Sequence, residues 1–335
     1  MTELEKAVLA TLSYYDIFDY PLTGFEIWRY LIRPVNVKAE EFELGLPRQS
    51  AATVGELFVA LDESEFLQEM IAQKHGFYFL RSREELVEKR LQRKKLADMK
   101  WKKARHAFRA LSLVPFVRGV FVSGSLAMEN SKDDSDIDII VVGKYGRIWT
   151  VRTFMTLLTF LMGVRRHGEK TRDRICLNHY ITDASLCIPF ESLYNAQSYV
   201  HMVNVYAEDG DIFRRFQAEN GWIKKYVPDY EAATLMSTRI LRRNGILLRI
   251  ARWGELALGG AAGDKLEKLF AAVESKRIRR DPLFAKGGGR ITIDDKQLEF
   301  HPDSHEYFII PEFNRRMKAM GLTEFGGQKD SGLNN

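Results

Sequence analysis

The sequence predicts an α+β protein with more than one domain, and three observations carry that prediction. Helix-start signals fill the opening stretch, which closes on two short apolar runs around a glycine turn. At the centre, apolar strands at 120–122 and 139–142 are separated by a Gly124-Ser125 turn and a polar loop. From residue 189 onward the apolar pattern takes a helical period. At 335 residues, 45% of them hydrophobic, the chain is long and apolar enough for two or three cores.

The opening region, 1–82, reads as a small domain. Capping-box spacings occur at Thr2/Glu5, Thr23/Glu26, Thr53/Glu56 and Ser82/Glu85, where a hydroxyl accepts from the first helical turn and the glutamate reaches back. Leu4, Val8 and Leu12 give the first helix an apolar face, and Ile27, Trp28 and Leu31 the second. Residues 34–52, with proline and glycine, read as a loop or insertion. The run MIAQKHGFYFL predicts a β-hairpin turning at Lys74-His75-Gly76. Three helices and a hairpin resemble a winged helix-turn-helix. The charges argue against DNA as its partner. The helix that would enter a groove, 53–62, carries Glu56 and Asp62 without one Lys or Arg, so it has nothing to offer a phosphate. An interaction or substrate-positioning role is the expectation.

Residues 83–113 predict one long helix or two in sequence, with ten basic residues from Lys89 to Arg109 interleaved with Leu91, Trp101, Phe108 and other apolar residues. The simple expectation is a solvated cationic face. The alternative is a surface for RNA or another anion.

Side chains on a strand alternate, so Asp136 and Asp138 share a face and Ile137 takes the other. Two adjacent carboxylates repel unless a cation sits between them, and oxygen-only ligands suit Mg²⁺ or Mn²⁺. The Gly124-Ser125 turn leaves space for a phosphate to approach backbone N–H groups. A calcium loop is excluded by counting from Asp134: the sixth position is Ile139 where glycine is needed, and the twelfth is Tyr145 where glutamate is needed. By contrast, Asp133 and Asp134 read as a solvated turn.

Gly124-Ser125, ten intervening residues and Asp136-Ile137-Asp138 inside an apolar strand resemble the signature of the polymerase-β-like nucleotidyltransferase superfamily, in the form of its small stand-alone members. The resemblance implies a mixed β-sheet with flanking helices over 83–188. It also implies metal binding by Asp136 and Asp138, phosphate contact at Gly124 and Ser125, Mg²⁺ (or Mn²⁺) as cofactor and an NTP as substrate. The acceptor would be a small molecule, a protein or an RNA. The superfamily commonly adds a third acid from a neighbouring strand. Here the candidate strand, 174–182, is RICLNHYIT. Alternation places Ile175, Leu177, His179 and Ile181 on one face, and Cys176, Asn178 and Tyr180 on the other. It contains no acid, and Asp173 and Asp183 flank it. Asn178 is the candidate for the third position, and an amide cannot act as a base. Two outcomes stay open: a two-carboxylate active site, or a nucleotide-sensing domain that has lost its chemistry.

Beyond the second motif strand, 148–164 predicts a helix. A basic cluster follows (Arg165, Arg166, Lys170, Arg172, Arg174), placed to neutralise phosphates or simply exposed. Helices are expected at 190–206, 212–226, 234–258, 265–277 and 306–320, with a short hairpin turning at Asp294-Asp295. These make 189–322 a mainly helical C-terminal domain, and 323–335 a disordered tail. The N-terminus carries acids where a signal peptide is basic, and the apolar stretch 149–164 holds Arg152 and is too short for a bilayer. Cys176 and Cys187 offer no disulfide framework. A cytoplasmic protein without membrane contact is expected. A net charge of +5 leans toward anionic partners.

Overall fold

The computed structural model describes residues 1–33, 52–209, 211–230, 239–241, 244–280, 290–301 and 305–322. The opening region holds α1 (Glu3–Asp16), β1 (Leu22–Thr23), α2 (Gly24–Arg29), α3 (Val54–Glu63), α4 (Glu65–Met70), β2 (Ile71–Lys74) and β3 (Phe77–Leu80). Three of the four capping boxes form, at Thr2, Thr23 and Thr53. The fourth does not. Ser82 has φ +68°, and α5 (Glu85–Leu111) starts without a side-chain cap because Arg83 Nε takes the Glu85 carboxylate at 3.0 Å. Helix α4 is an additional element, absent from the three helices that the sequence pattern predicts. Ser64 ends α3 and its hydroxyl caps α4 by accepting from Leu67 N–H. The predicted hairpin is present: His75 and Gly76 both take positive φ, as a two-residue turn of this kind requires, and β1 completes an antiparallel sheet in the order β1-β3-β2. The expected loop at 34–52 falls, apart from Ala52, outside the described residues.

After the single long helix α5 come β4 (Val117–Val122), α6 (Gly124–Ala127), β5 (Ile137–Gly143), α7 (Ile148–Leu161) and β6 (Ile175–Thr182). Then follow α8 (Leu193–Val200), β7 (Val203–Ala207), α9 (Ile212–Glu219), α10 (Gly245–Leu258), α11 (Ala261–Arg279), β8 (Arg290–Ile293), β9 (Gln297–His301) and α12 (Glu306–Ala319). The main sheet runs β7-β4-β5-β6-β9-β8. It is mixed: β5 and β6 are parallel and the other neighbours antiparallel. A parallel pair needs a crossover, and α7 provides it.

Two helical expectations require correction. Residues 190–206 do not form one helix, because Val203 and Val205 belong to β7, which satisfies the open edge of β4. The helix expected over 212–226 stops at Glu219. Asn220 turns its amide onto Leu186 and Phe216 carbonyls, and a 3₁₀ turn, Gly221–Lys225, follows. The segment 234–258 is helical from Gly245; residues 231–238 and 242–243 lie outside the described residues, as does the 323–335 tail. The hairpin at Asp294-Asp295 forms and, through β9 on β6, extends the main sheet. Three of its six strands thus come from the region expected to be mainly helical.

Both faces of the sheet are covered. On one face Val120, Ile139, Val141 and Tyr180 pack with Trp101 and Phe108 of α5 and with Trp149 and Met155 of α7. On the other, Phe121, Ile140, Val142 and Ile181 join a core shared with the N-terminal helices, α8, α9 and α12. Among the described residues no helix is long and apolar enough to cross a membrane.

Candidate functional site

Alternation along β5 is regular. Ile137, Ile139 and Val141 enter the core with α5 and α7, whereas Ile140 and Val142 enter the opposite core. Asp136 and Asp138 therefore lie on one face at the start of the strand, both half-buried, while Asp133 and Asp134 are exposed as expected of a solvated turn.

The neighbouring strand sets a further side chain beside the pair. Asp138 pairs with Cys176, and Ile140 with His179, so Leu177 and Asn178 stand opposite the single residue Ile139. This bulge breaks the alternation read from the sequence: Ile175 and Tyr180 share one core, and Ile181 lies in the other. Cys176 comes to the carboxylates. Ligand atoms of Asp136, Asp138 and Cys176 all lie within 4.8 Å of one another. Asn178 sits half-buried in the bulge. The flanking acids are engaged elsewhere: Asp173 accepts from Lys100 at 2.8 Å and Lys103 at 2.7 Å, and Asp183 from Tyr145 N–H at 2.8 Å.

Charge at this point is concentrated and poorly solvated. Burial, then the adjacent Asp136, pushes the Asp138 carboxyl up to about 7, against the pull of Arg166. Burial and the two aspartates also push the Cys176 thiol far above its ordinary range, so it stays protonated. Among the described residues, Arg166 answers the charge. Arg166 Nη1 donates to Asp136 Oδ2 at 2.5 Å and lies 3.5 Å from Cys176 Sγ. The sequence marked it only as one of five clustered cations. It is carried between Gly163 (φ +65°) and Gly168 (φ +51°), whose missing Cβ atoms would meet nothing within 4 Å.

Gly124 is shaped for its place. Ser123 N–H donates to Asp138 O at 3.0 Å, bringing the end of β4 against β5. Gly124 then takes φ +65°, and a Cβ on it would stand 2.6 Å from Asp138 Oδ2. Only glycine satisfies both demands. Ser125 follows in the short helix α6, half-buried, with its carbonyl accepting from Asn130 N–H at 2.9 Å.

The polar loop between the turn and the aspartates is pinned by α5, and here the expectation of a solvated cationic face fails for three residues. Arg90, Arg93 and Lys100 are buried. Arg90 bonds Glu26 at 2.7 Å and Met128 O at 3.3 Å, with its guanidinium 3.5 Å from the Tyr20 ring centroid. Arg93 donates to Phe18 O at 2.7 Å and Asn130 Oδ1 at 3.1 Å. Lys100 donates to the Asp133 and Ser135 carbonyls, both at 2.9 Å, as well as to Asp173. Helix spacing brings the apolar neighbours Ala97, Trp101 and Ala104 onto the sheet, and these three cations onto the loop.

The donor set suits a hard divalent cation in part. Two carboxylates are available, and their mutual repulsion and burial favour a bound positive charge. A protonated thiol is a poor ligand for Mg²⁺, so further oxygens would come from water or a phosphate-bearing ligand. Compared with protein-family models, curated proteins and solved structures, the chain matches none of them.

Proposed function

We propose that the chain is a metal-dependent nucleotidyltransferase, transferring a nucleoside monophosphate from an NTP to an acceptor as pyrophosphate departs. The observation that carries this reading is the convergence of Asp136 and Asp138 beside Gly124, where the glycine leaves room for the carboxylate pair. Its sequence pattern resembles the polymerase-β-like nucleotidyltransferase superfamily. Mg²⁺ or Mn²⁺, when bound, would stabilise charge on the phosphate oxygens. Asp136 and Asp138 would hold it. Arg166 neutralises Asp136 and would also be the cation nearest a phosphate brought to the pair by metal. The Gly124-Ser125 turn offers backbone N–H groups without a Cβ in the way. We further assign the opening region to a winged-helix-like module with an interaction role; the acids of α3 support that over DNA binding.

The test is incubation of the chain with each α-labelled NTP, Mg²⁺ or Mn²⁺, and cell extract. Label should pass to an acceptor and be lost in the Asp136→Ala/Asp138→Ala variant. A second reading, a nucleotide-sensing protein without turnover, is favoured by one specific observation: a thiol, Cys176, and no third carboxylate, lies within 4.8 Å of the aspartate pair among the described residues. Metal-dependent nucleotide binding with no acceptor labelled in any extract would support it.

A further inference from the structure

Helices α10 and α11 form a hairpin with a glycine-dependent turn. A Cβ on Gly263 would meet the Leu258 carbonyl oxygen at 1.7 Å, and one on Gly259 the Glu255 oxygen at 2.7 Å. The start of α11 thus rests on the last carbonyls of α10. The four acids of this hairpin all bond to the rest of the molecule. Glu255 accepts from Phe116 N–H at 2.8 Å and Arg118 at 2.7 Å, and Asp264 accepts from Arg147 at 2.5 Å. Glu267 accepts from the Trp149 and Thr150 N–H groups at 2.9 and 2.8 Å, and Glu274 from Arg152 at 3.3 Å.

The outward side has the opposite character. Every Lys and Arg from Gly245 to Arg280 is exposed, Arg249, Arg252, Lys268 and Lys276 among them. On α10 the exposed arc also carries Ile246 (66% exposed), Ile250 (52%), Trp253 (73%) and Leu256 (77%). Their spacing keeps them on one side of the helix, with Arg249 and Arg252. The inward side holds Leu248, Ala251 and Leu258, so α10 is apolar on both sides.

We propose that the α10–α11 hairpin docks on the surface of an anionic lipid bilayer. The charge segregation selects this occupant. A second copy would bring like charges face to face. RNA would satisfy the cations and could stack on Trp253, but would leave Ile246, Ile250 and Leu256 against phosphates and water. A bilayer interface takes the aliphatic groups and the tryptophan below its headgroups while the arginines meet lipid phosphates. The contact is peripheral, since neither helix has the length and hydropathy to span. It departs from the sequence-based expectation of no membrane contact, and it is independent of the nucleotidyltransferase reading.

The test is co-sedimentation of the full chain with phosphatidylcholine vesicles, with and without phosphatidylglycerol. Binding is expected only with the anionic lipid, falling as salt rises. Ile250→Ser/Trp253→Ser, at exposed positions, should weaken it at least about tenfold, as lost burial of two large apolar groups implies. Arg249→Glu/Arg252→Glu should do the same. No vesicle binding, equal binding to neutral vesicles, or undiminished binding by both variants would overturn the proposal. So would a short single-stranded RNA that binds in the vesicles' place and displaces them, or a dimer dissolved by these substitutions without vesicle binding.

Discussion

A Cβ atom on Gly124 would lie 2.6 Å from Asp138 Oδ2, closer than any real contact of that kind. Gly124→Ala should therefore displace the Asp138 carboxylate and strain a backbone already at φ +65°. The expected outcome is loss of Mn²⁺ binding, read by isothermal titration, with the far-ultraviolet circular dichroism retained. Mn²⁺ affinity equal to that of the unsubstituted chain would show that the glycine does not serve the carboxylate.

Arg166 competes for the charge of Asp136. Removing it as Arg166→Ala should tighten binding of Mn²⁺ alone by about tenfold, the equivalent of one lost charge-assisted hydrogen bond. The same variant should weaken NTP binding in the presence of metal. Movement of both affinities in one direction would contradict this double role.

Cys176 Sγ lies within 4.8 Å of the carboxylate oxygens of Asp136 and Asp138. Cys176→Asp should raise Mn²⁺ affinity by supplying a third carboxylate, provided its charge is compensated by the ion. Without metal the same variant should melt lower than the parent, because three carboxylates then share one arginine. A melting temperature that rises in the absence of metal would refute the assignment.

Lys100 bonds two loop carbonyls and Asp173, and its side chain is 4% exposed. In Asp173, burial raises the pKa, and the hydrogen bonds from Lys100 and Lys103 outweigh it and hold the group below its ordinary value. Lys100→Met leaves both carbonyls without this donor and should cost about 2–3 kcal/mol in urea denaturation. Lys103→Met, at an exposed position, should cost far less.

His201 gives the stability a pH dependence. Burial, then Arg29 and Arg90, lower its pKa to about 3, and its Nε2 lies 2.7 Å from the Tyr15 hydroxyl. In the unfolded chain the ordinary value is about 6.5. Above that pH neither state is protonated there. Between about 6.5 and 3 only the unfolded chain takes the proton, so stability falls as pH falls, by up to about 1.4 kcal/mol per pH unit. Urea midpoints of His201→Gln should show a correspondingly shallower loss from pH 7 to pH 4.5. Parallel curves for the two proteins would exclude the histidine as the cause.

What the sequence revealed was local. Thr2, Thr23 and Thr53 announce their helices because a capping box lies within four residues, and Asp136 and Asp138 share a face because strand alternation is a short-range rule. What it hid depended on partners far along the chain. The bulge at Leu177-Asn178 comes from the register with β5, and it reverses the faces of the residues that follow it, while Cys176 pairs with Asp138 just before it. β7 looked helical because the open edge of β4, which recruits it, lies some eighty residues earlier. The buried Arg90, Arg93 and Lys100 look like any other cations on a basic helix until the loop that meets them is placed.

The core that joins α1 to α12 also bears on how the chain is made. Tyr14 meets Phe313 with ring centroids 5.7 Å apart, and Asp16 accepts from Arg316. At about 5–20 residues per second, a ribosome needs roughly 15–60 seconds between these two helices. For that interval α1 lacks α12, and Tyr14 is without one of its ring partners. Closure of the core that joins these helices therefore waits for α12, however early the segments between them take shape.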